Sequence, residues 1–232
     1  MLHNANDPFL VKTFVRHRSR YKSERKKNLR NEILPKIKIS SLPEIENISQ
    51  FAQINLEIGS GYGDTVNHLA KTNPDNLYIA SEVYIDAILS TIGKMDDENL
   101  TNIRMFTEDG RKLLAEIPDG VLSNLYLFFP DPWPKTKHHK RRIFQTEFLK
   151  LVHKKLKNDG ILWTATDDDS YKEHISTVIY FDSISENRLF KWDSNNQNDF
   201  LTEPSWWKRT KYQEKAIQAG RECIFLKLDK TS

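Results

Sequence analysis

"LEIGSGYGDT", residues 56–65, decides the fold. It closes an apolar run, "FAQINLEI" (51–58), and opens a stretch with Val66, Leu69 and Ala70 at helical spacing. Strand, glycine turn and helix in that order form the first unit of an open α/β sheet. The glycines fall at Gly59, Gly61 and Gly63. That spacing departs from the G-x-G-x-x-G of dinucleotide enzymes and makes a nicotinamide dehydrogenase the least favoured reading.

The alternation continues outward from this turn. Strands are predicted at 76–83, 101–109, 120–130 and 160–167, with helices at 84–95, 110–118, 143–157 and 172–181 between and after them. The nearly continuous apolar run of 120–130 suits a buried parallel strand. "RLFKW" (188–192) and "RECIFLKL" (221–228) add two late strands. The expected fold is α/β: a Rossmann-like, doubly wound, seven-stranded sheet, mostly parallel with an antiparallel edge strand.

Charge is distributed unevenly along the 232 residues. Residues 1–38 hold eleven Lys/Arg against three acids, residues 39–134 five against fifteen, and residues 135–232 nineteen against fourteen. The first segment reads as a basic N-terminal extension and 39–232 as one domain. A basic arm and a late basic run around an acidic body suit a polyanionic partner. No window approaches the roughly 18 apolar residues of a membrane span. With no signal-like N-terminus and the lone Cys223, the expectation is a cytoplasmic chain without disulfides.

Four acids mark strand ends. Glu57 lies beside the glycine turn, Glu82 ends the second strand, Asp109 the third and Asp167 the fifth. In an open α/β sheet this carboxyl edge is where ligands bind. Glu82 is placed to accept from ribose hydroxyls and Asp109 from an adenine amino edge, although either acid alone also fits a helix cap. A carboxylate at Glu57 would repel phosphate. A nucleoside bearing a positive group and no pyrophosphate therefore fits better than NAD, and S-adenosylmethionine is such a molecule.

After the fourth strand comes "FFPDPWPKTKHHKRR" (128–142). Prolines 130, 132 and 134 should hold Phe129, Asp131 and Trp133 extended, giving a stiff loop that presents Asp131. The basic run behind it suits contacts with a nucleic-acid backbone. Two adjacent histidines without Cys or carboxylate neighbours make a poor metal site. Asp167 could accept from the N1–H and N2–H₂ edge of guanine. Trp206, Trp207 and Tyr212, interleaved with bases, suit stacking on RNA or packing as an edge loop.

"LEIGSGYGDT", "SEVY", "FFPDPWPKTKHHKRRI", "ATDDDSY" and "RTKYQ" together resemble the tRNA (guanine-N7)-methyltransferase family over roughly residues 11–228. The resemblance implies a class I S-adenosylmethionine-dependent methyltransferase that forms 7-methylguanosine in the tRNA variable loop, as a monomer or homodimer. It implies cofactor binding by Glu57, Gly59, Gly61, Gly63, Glu82, Asp109 and Asp131, with Asp131 also at the catalytic position. Lys135, Asp167, Thr210, Lys211, Tyr212 and Gln213 match substrate-binding positions, and Lys137, His138, His139, Lys140, Arg141 and Arg142 the RNA-contacting segment. Where the family carries a glutamate in its late motif this chain has Gln213, with Glu214 beside it. Methylation of an exocyclic amine, and an RNA-binding module that lost its chemistry, are the competing readings.

Overall fold

The structure is a computed structural model and describes residues 23–192 and 199–232. The basic segment 12–20, "KTFVRHRSR", lies outside the described residues.

The chain begins with α1 (Glu24–Asn28), a π-helical turn over Leu29–Ile33, and α2 (Leu34–Ile37). The sheet and its helices then follow in order: β1 (Gln53–Ile58), α3 (Asp64–Thr72), β2 (Asn76–Ser81), α4 (Ile85–Asp97), β3 (Ile103–Phe106), α5 (Gly110–Glu116) and β4 (Leu122–Phe128). A 3-10 helix over Thr136–Arg141 leads to α6 (Thr146–Lys155), β5 (Leu156–Thr166), α7 (Asp169–Ser183), β6 (Phe190–Lys191), α8 (Lys211–Gln218) and β7 (Ile224–Lys230). The strand order is β3-β2-β1-β4-β5-β7-β6.

The five strands β1 to β5 are parallel, and β7 pairs antiparallel with β5 and with β6. The expected seven-stranded, mostly parallel sheet is present. Its antiparallel strand lies one place in from the edge, because the two-residue β6 pairs outside it. The sequence-predicted helices and strands are otherwise present, with β5 starting earlier than expected, at Leu156; the additions are short 3-10 helices at Leu42–Glu44, Ile48–Gln50, Thr136–Arg141 and Asp199–Leu201 and a helical tail, Lys211–Gln218.

Alternation along the central strands sorts side chains onto two faces. Leu56, Leu77, Ile79, Leu125 and Leu127 pack with Leu113, Phe148 and Ile175 from α5, α6 and α7. Tyr78, Ala80, Ile103, Tyr126 and Phe128 pack on the other face with Val66 and Ile88 from α3 and α4. Residues 24–37, expected to belong to an extension, join this second face: Leu29 is 3% exposed, and Arg25 and Lys26 pair with Asp97 and Asp86 of α4. Among the described residues no helix is long and apolar enough to cross a membrane.

Candidate active site

The strand ends of the parallel sheet are bonded to one another. Gly59 and Ser60 amides donate to the Ser81 carbonyl at 2.9 and 3.0 Å, Glu82 N–H to the Phe106 carbonyl at 3.1 Å, and Phe129 N–H to the Ala165 carbonyl at 2.8 Å. The glycine turn, the Glu82 segment and the start of the Asp131 loop are thereby tied along one edge.

The glycine turn has left-handed φ at all three glycines: 75°, 52° and 76°. At Gly63 a Cβ would lie 2.5 Å from Thr91 Oγ1, so close approach to α4 demands glycine as well. Glu82 locks this turn to the end of β2. Its Oε2 accepts from Gly61 N–H at 2.9 Å, and its Oε1 from Val83 and Tyr84 N–H at 2.7 and 2.8 Å. Three of the carboxylate's roughly four lone-pair sites are thus taken, and the one left on Oε2 suits a single ribose hydroxyl.

Glu57 lies beneath the turn, opposite Tyr126 in the β1–β4 register and 5% exposed. Burial, reinforced by the neighbouring acids Asp64 and Glu82, pushes its carboxyl up to about 8. Its Oε2 has no hydrogen-bond partner. A buried unpartnered acceptor is unfavourable unless something donates to it. An ammonium would satisfy that oxygen and favour the ionised form. The residues present thus fit the amino-acid end of S-adenosylmethionine.

Asp109 is more committed than the sequence reading allows. Its Oδ1 caps α5 through Arg111 N–H at 3.0 Å, and the Arg111 guanidinium bonds both oxygens, with Nε at 3.0 and 3.1 Å and a further contact from Nη2. Both side chains are about a tenth exposed. A carboxylate held in this way is a poor free acceptor for an adenine amino group. Arg111 was missed because a base two positions after a capping acid looks like ordinary helix surface.

Asp131 is exposed on the loop after β4. The residues flanking it depart from expectation: Phe129 and Trp133 have φ of 48° and 46°. Each precedes a proline, where an extended backbone was predicted, and each is bulky. Left-handed geometry at such residues costs about 1–3 kcal/mol and persists only where the surroundings impose it. At Phe129 they do so through the Ala165 carbonyl and the rings of Trp207 and Phe225, both 6.3 Å away. At Trp133 the ring lies under Arg141, 4.9 Å from its guanidinium carbon, and edge-on to His138.

The basic segment divides in two. Lys135, Lys137 and Lys140 are exposed on or beside the 3-10 helix. His138 is held below its ordinary pKa by burial first and then by Arg141, Lys137 and Lys135. His139 is half-buried, with Nε2 unpartnered. Arg142, predicted as an RNA contact, corrects that expectation because it is 3% exposed. Its guanidinium donates to the Pro132 carbonyl at 2.9 Å, the Ser170 carbonyl at 3.1 Å and Ser170 Oγ at 2.6 Å.

The late motif divides in the same way, with Gln213 inward and Lys211 and Tyr212 outward. Thr210 is the N-cap of α8, its Oγ1 accepting from Gln213 N–H at 3.2 Å. Gln213 is 1% exposed and spans Trp207 Nε1 and Glu203 Oε1, each at 2.7 Å. Its amide thus has a protein partner at each end. Lys211, Tyr212 and Glu214 face solvent, Tyr212 at 64% exposure. Trp206 packs on Tyr126 and Trp163, and Trp207 on Phe128 and Phe225, so the edge-loop alternative holds for both. Asp167 pairs with Arg221 at 2.7 Å beside a cleft lined by Glu203, Gln213, Arg221, Cys223 and Phe225. Glu203 was not singled out from sequence, yet it puts a carboxylate on that cleft.

A family model described as a putative methyltransferase matches residues 52–226. A tRNA (guanine-N(7)-)-methyltransferase of Nitrosomonas europaea is 36% identical over 174 residues, covering 73% of this chain and 74% of that protein. The protein of that name from Rhizobium johnstonii is 32% identical over 219 residues, covering 92% of each. A solved putative methyltransferase from Streptococcus mutans in complex with SAH is similar in fold, with TM-score 0.51 and 13% identity over 78% of this chain and 90% of that one. On the relatives' identity and coverage, the chain belongs to the tRNA (guanine-N7)-methyltransferase family.

Proposed function

We propose that this protein transfers a methyl group from S-adenosylmethionine to N7 of a guanine in the variable loop of tRNA, in the cytoplasm. The observation that carries the reading is the strained Phe129–Trp133 loop. It presents exposed Asp131 on the same edge as the glycine turn and directly before the basic 3-10 helix.

Bound S-adenosylmethionine supplies an electrophilic methyl group. Glu57 and the amides of the glycine turn hold its amino-acid end, and Glu82 its ribose. Guanine N7 carries an in-plane lone pair, so nothing has to remove a proton before it attacks. Transfer would leave the positive charge on the purine in place of the donor's sulfur, which would depart as a neutral thioether. Asp131 aligns the base and favours the purine's developing charge without accepting a proton. Asp167 and Glu203, each bonded through one oxygen to an arginine, Arg221 and Arg209, suit through the other the N1–H and N2–H₂ donors of guanine. Lys135, Lys137, Lys140, Lys211 and Tyr212 meet the RNA from the exposed side. A stacked guanine must be turned out to reach this edge.

Asp131→Ala tests the assignment. It should abolish turnover, while filter binding of tRNA changes by less than about threefold; full activity in this variant would remove Asp131 from the mechanism.

A further inference from the structure

Arg142 belongs by sequence to the basic run, yet its guanidinium is turned inward. One side bonds the carbonyl of Pro132, the residue after Asp131, at 2.9 Å. The other side bonds Ser170 through its carbonyl and hydroxyl, at 3.1 and 2.6 Å. Ser170 lies in the first turn of α7, just after the N-cap Asp168. The guanidinium also lies over the ring of fully buried Tyr171, 5.2 Å from its centroid. The fork thus ties the Asp131 loop to a helix anchored in the core.

We infer that Arg142 is a positioning residue for methyl transfer, holding the Pro132 carbonyl so that the strained loop keeps Asp131 in place. The inference rests on the reading of Asp131 given above. A planar fork can satisfy the Pro132 carbonyl and Ser170 simultaneously; a lysine ammonium keeps the charge and loses that geometry. The exposed neighbours Lys137 and Lys140 have the opposite character, since charge near the RNA backbone is all that their role needs.

The test compares Arg142→Lys, Ser170→Ala, Lys140→Ala and Asp131→Ala by single-turnover methylation of tRNA, with tRNA affinity measured over a range of salt. Arg142→Lys should lower the rate at saturating tRNA and donor roughly ten- to a hundredfold, the size expected for misplacing a reacting group by an ångström. Its tRNA affinity and salt slope should stay within about twofold of the parent. Ser170→Ala removes one acceptor without touching the basic segment, and should lower the same rate by a smaller factor with tRNA affinity unchanged. Lys140→Ala should instead weaken tRNA binding and flatten its salt dependence.

A parent-like saturated rate in Arg142→Lys with weakened tRNA binding would overturn the inference and restore Arg142 as an RNA contact. Parent-like rates in both Arg142→Lys and Ser170→Ala would also overturn it. If Arg142→Lys does not fold, Ser170→Ala decides. Full activity in Asp131→Ala marks failure of the underlying reading, whereas loss there beside normal rates in the other two variants marks failure of this inference alone.

Discussion

Glu57 is 5% exposed, with one carboxylate oxygen hydrogen-bonded to nothing in the protein. Burial is the first cause of its carboxyl rising to about 8, from 4.5 in an unfolded chain. Between those two values the folded protein holds a proton that the unfolded chain releases. Stability without ligand should therefore fall as pH rises from about 4.5 to about 8, by up to about 1.4 kcal/mol per pH unit. Glu57→Gln should flatten that segment of a melting-temperature profile and weaken binding of the methyl donor; an unchanged profile would refute the raised pKa. Sequence showed Glu57 at the right place for an acid but could not show its burial, which arises where β1 is seated between β2 and β4 in the middle of the sheet. Gln213 teaches the reverse lesson: its motif position suggested substrate, and only the fold reveals that Trp207 and Glu203 already occupy its amide.

The β1–turn–α3 unit was legible because its physics is local. Three glycines adopt positive φ, and Gly63 alone also meets Thr91 of α4. Gly63→Ala combines left-handed strain with that collision and should destabilise the fold by about 2 kcal/mol or more in denaturant titration; a loss below about 0.5 kcal/mol would show that α4 yields easily. The Asp131 loop was legible as stiff but not in its shape. The rule that a residue before proline is extended is also local, and tertiary contacts to Phe129 and Trp133 override it. Helix α8 was missed because its bases and aromatics resembled a nucleic-acid-binding tail. Its buried side consists of Gln213 and Ala216, too few apolar residues to give a clear helical stripe.

Across the whole molecule, charge and fold divide the work. The acidic stretch 39–134 supplies Glu57, Glu82 and Asp131, and the exposed Lys135, Lys137 and Lys140 follow it. Removing Lys137 or Lys140 should weaken tRNA binding and reduce the slope of log affinity against log salt by about 0.7–0.9 for each phosphate no longer neutralised; an unchanged slope would place the RNA elsewhere. The central claim is that the edge built from the glycine turn, Asp131 and the basic helix methylates guanine at N7. Its most direct test is incubation of the protein with unmodified tRNA and methyl-labelled S-adenosylmethionine, followed by digestion to nucleosides and separation. The account predicts label in 7-methylguanosine, abolished when the variable-loop guanine is replaced by adenine. Label in a nucleoside methylated on an exocyclic amine, or bound donor with no labelled nucleoside, would contradict it.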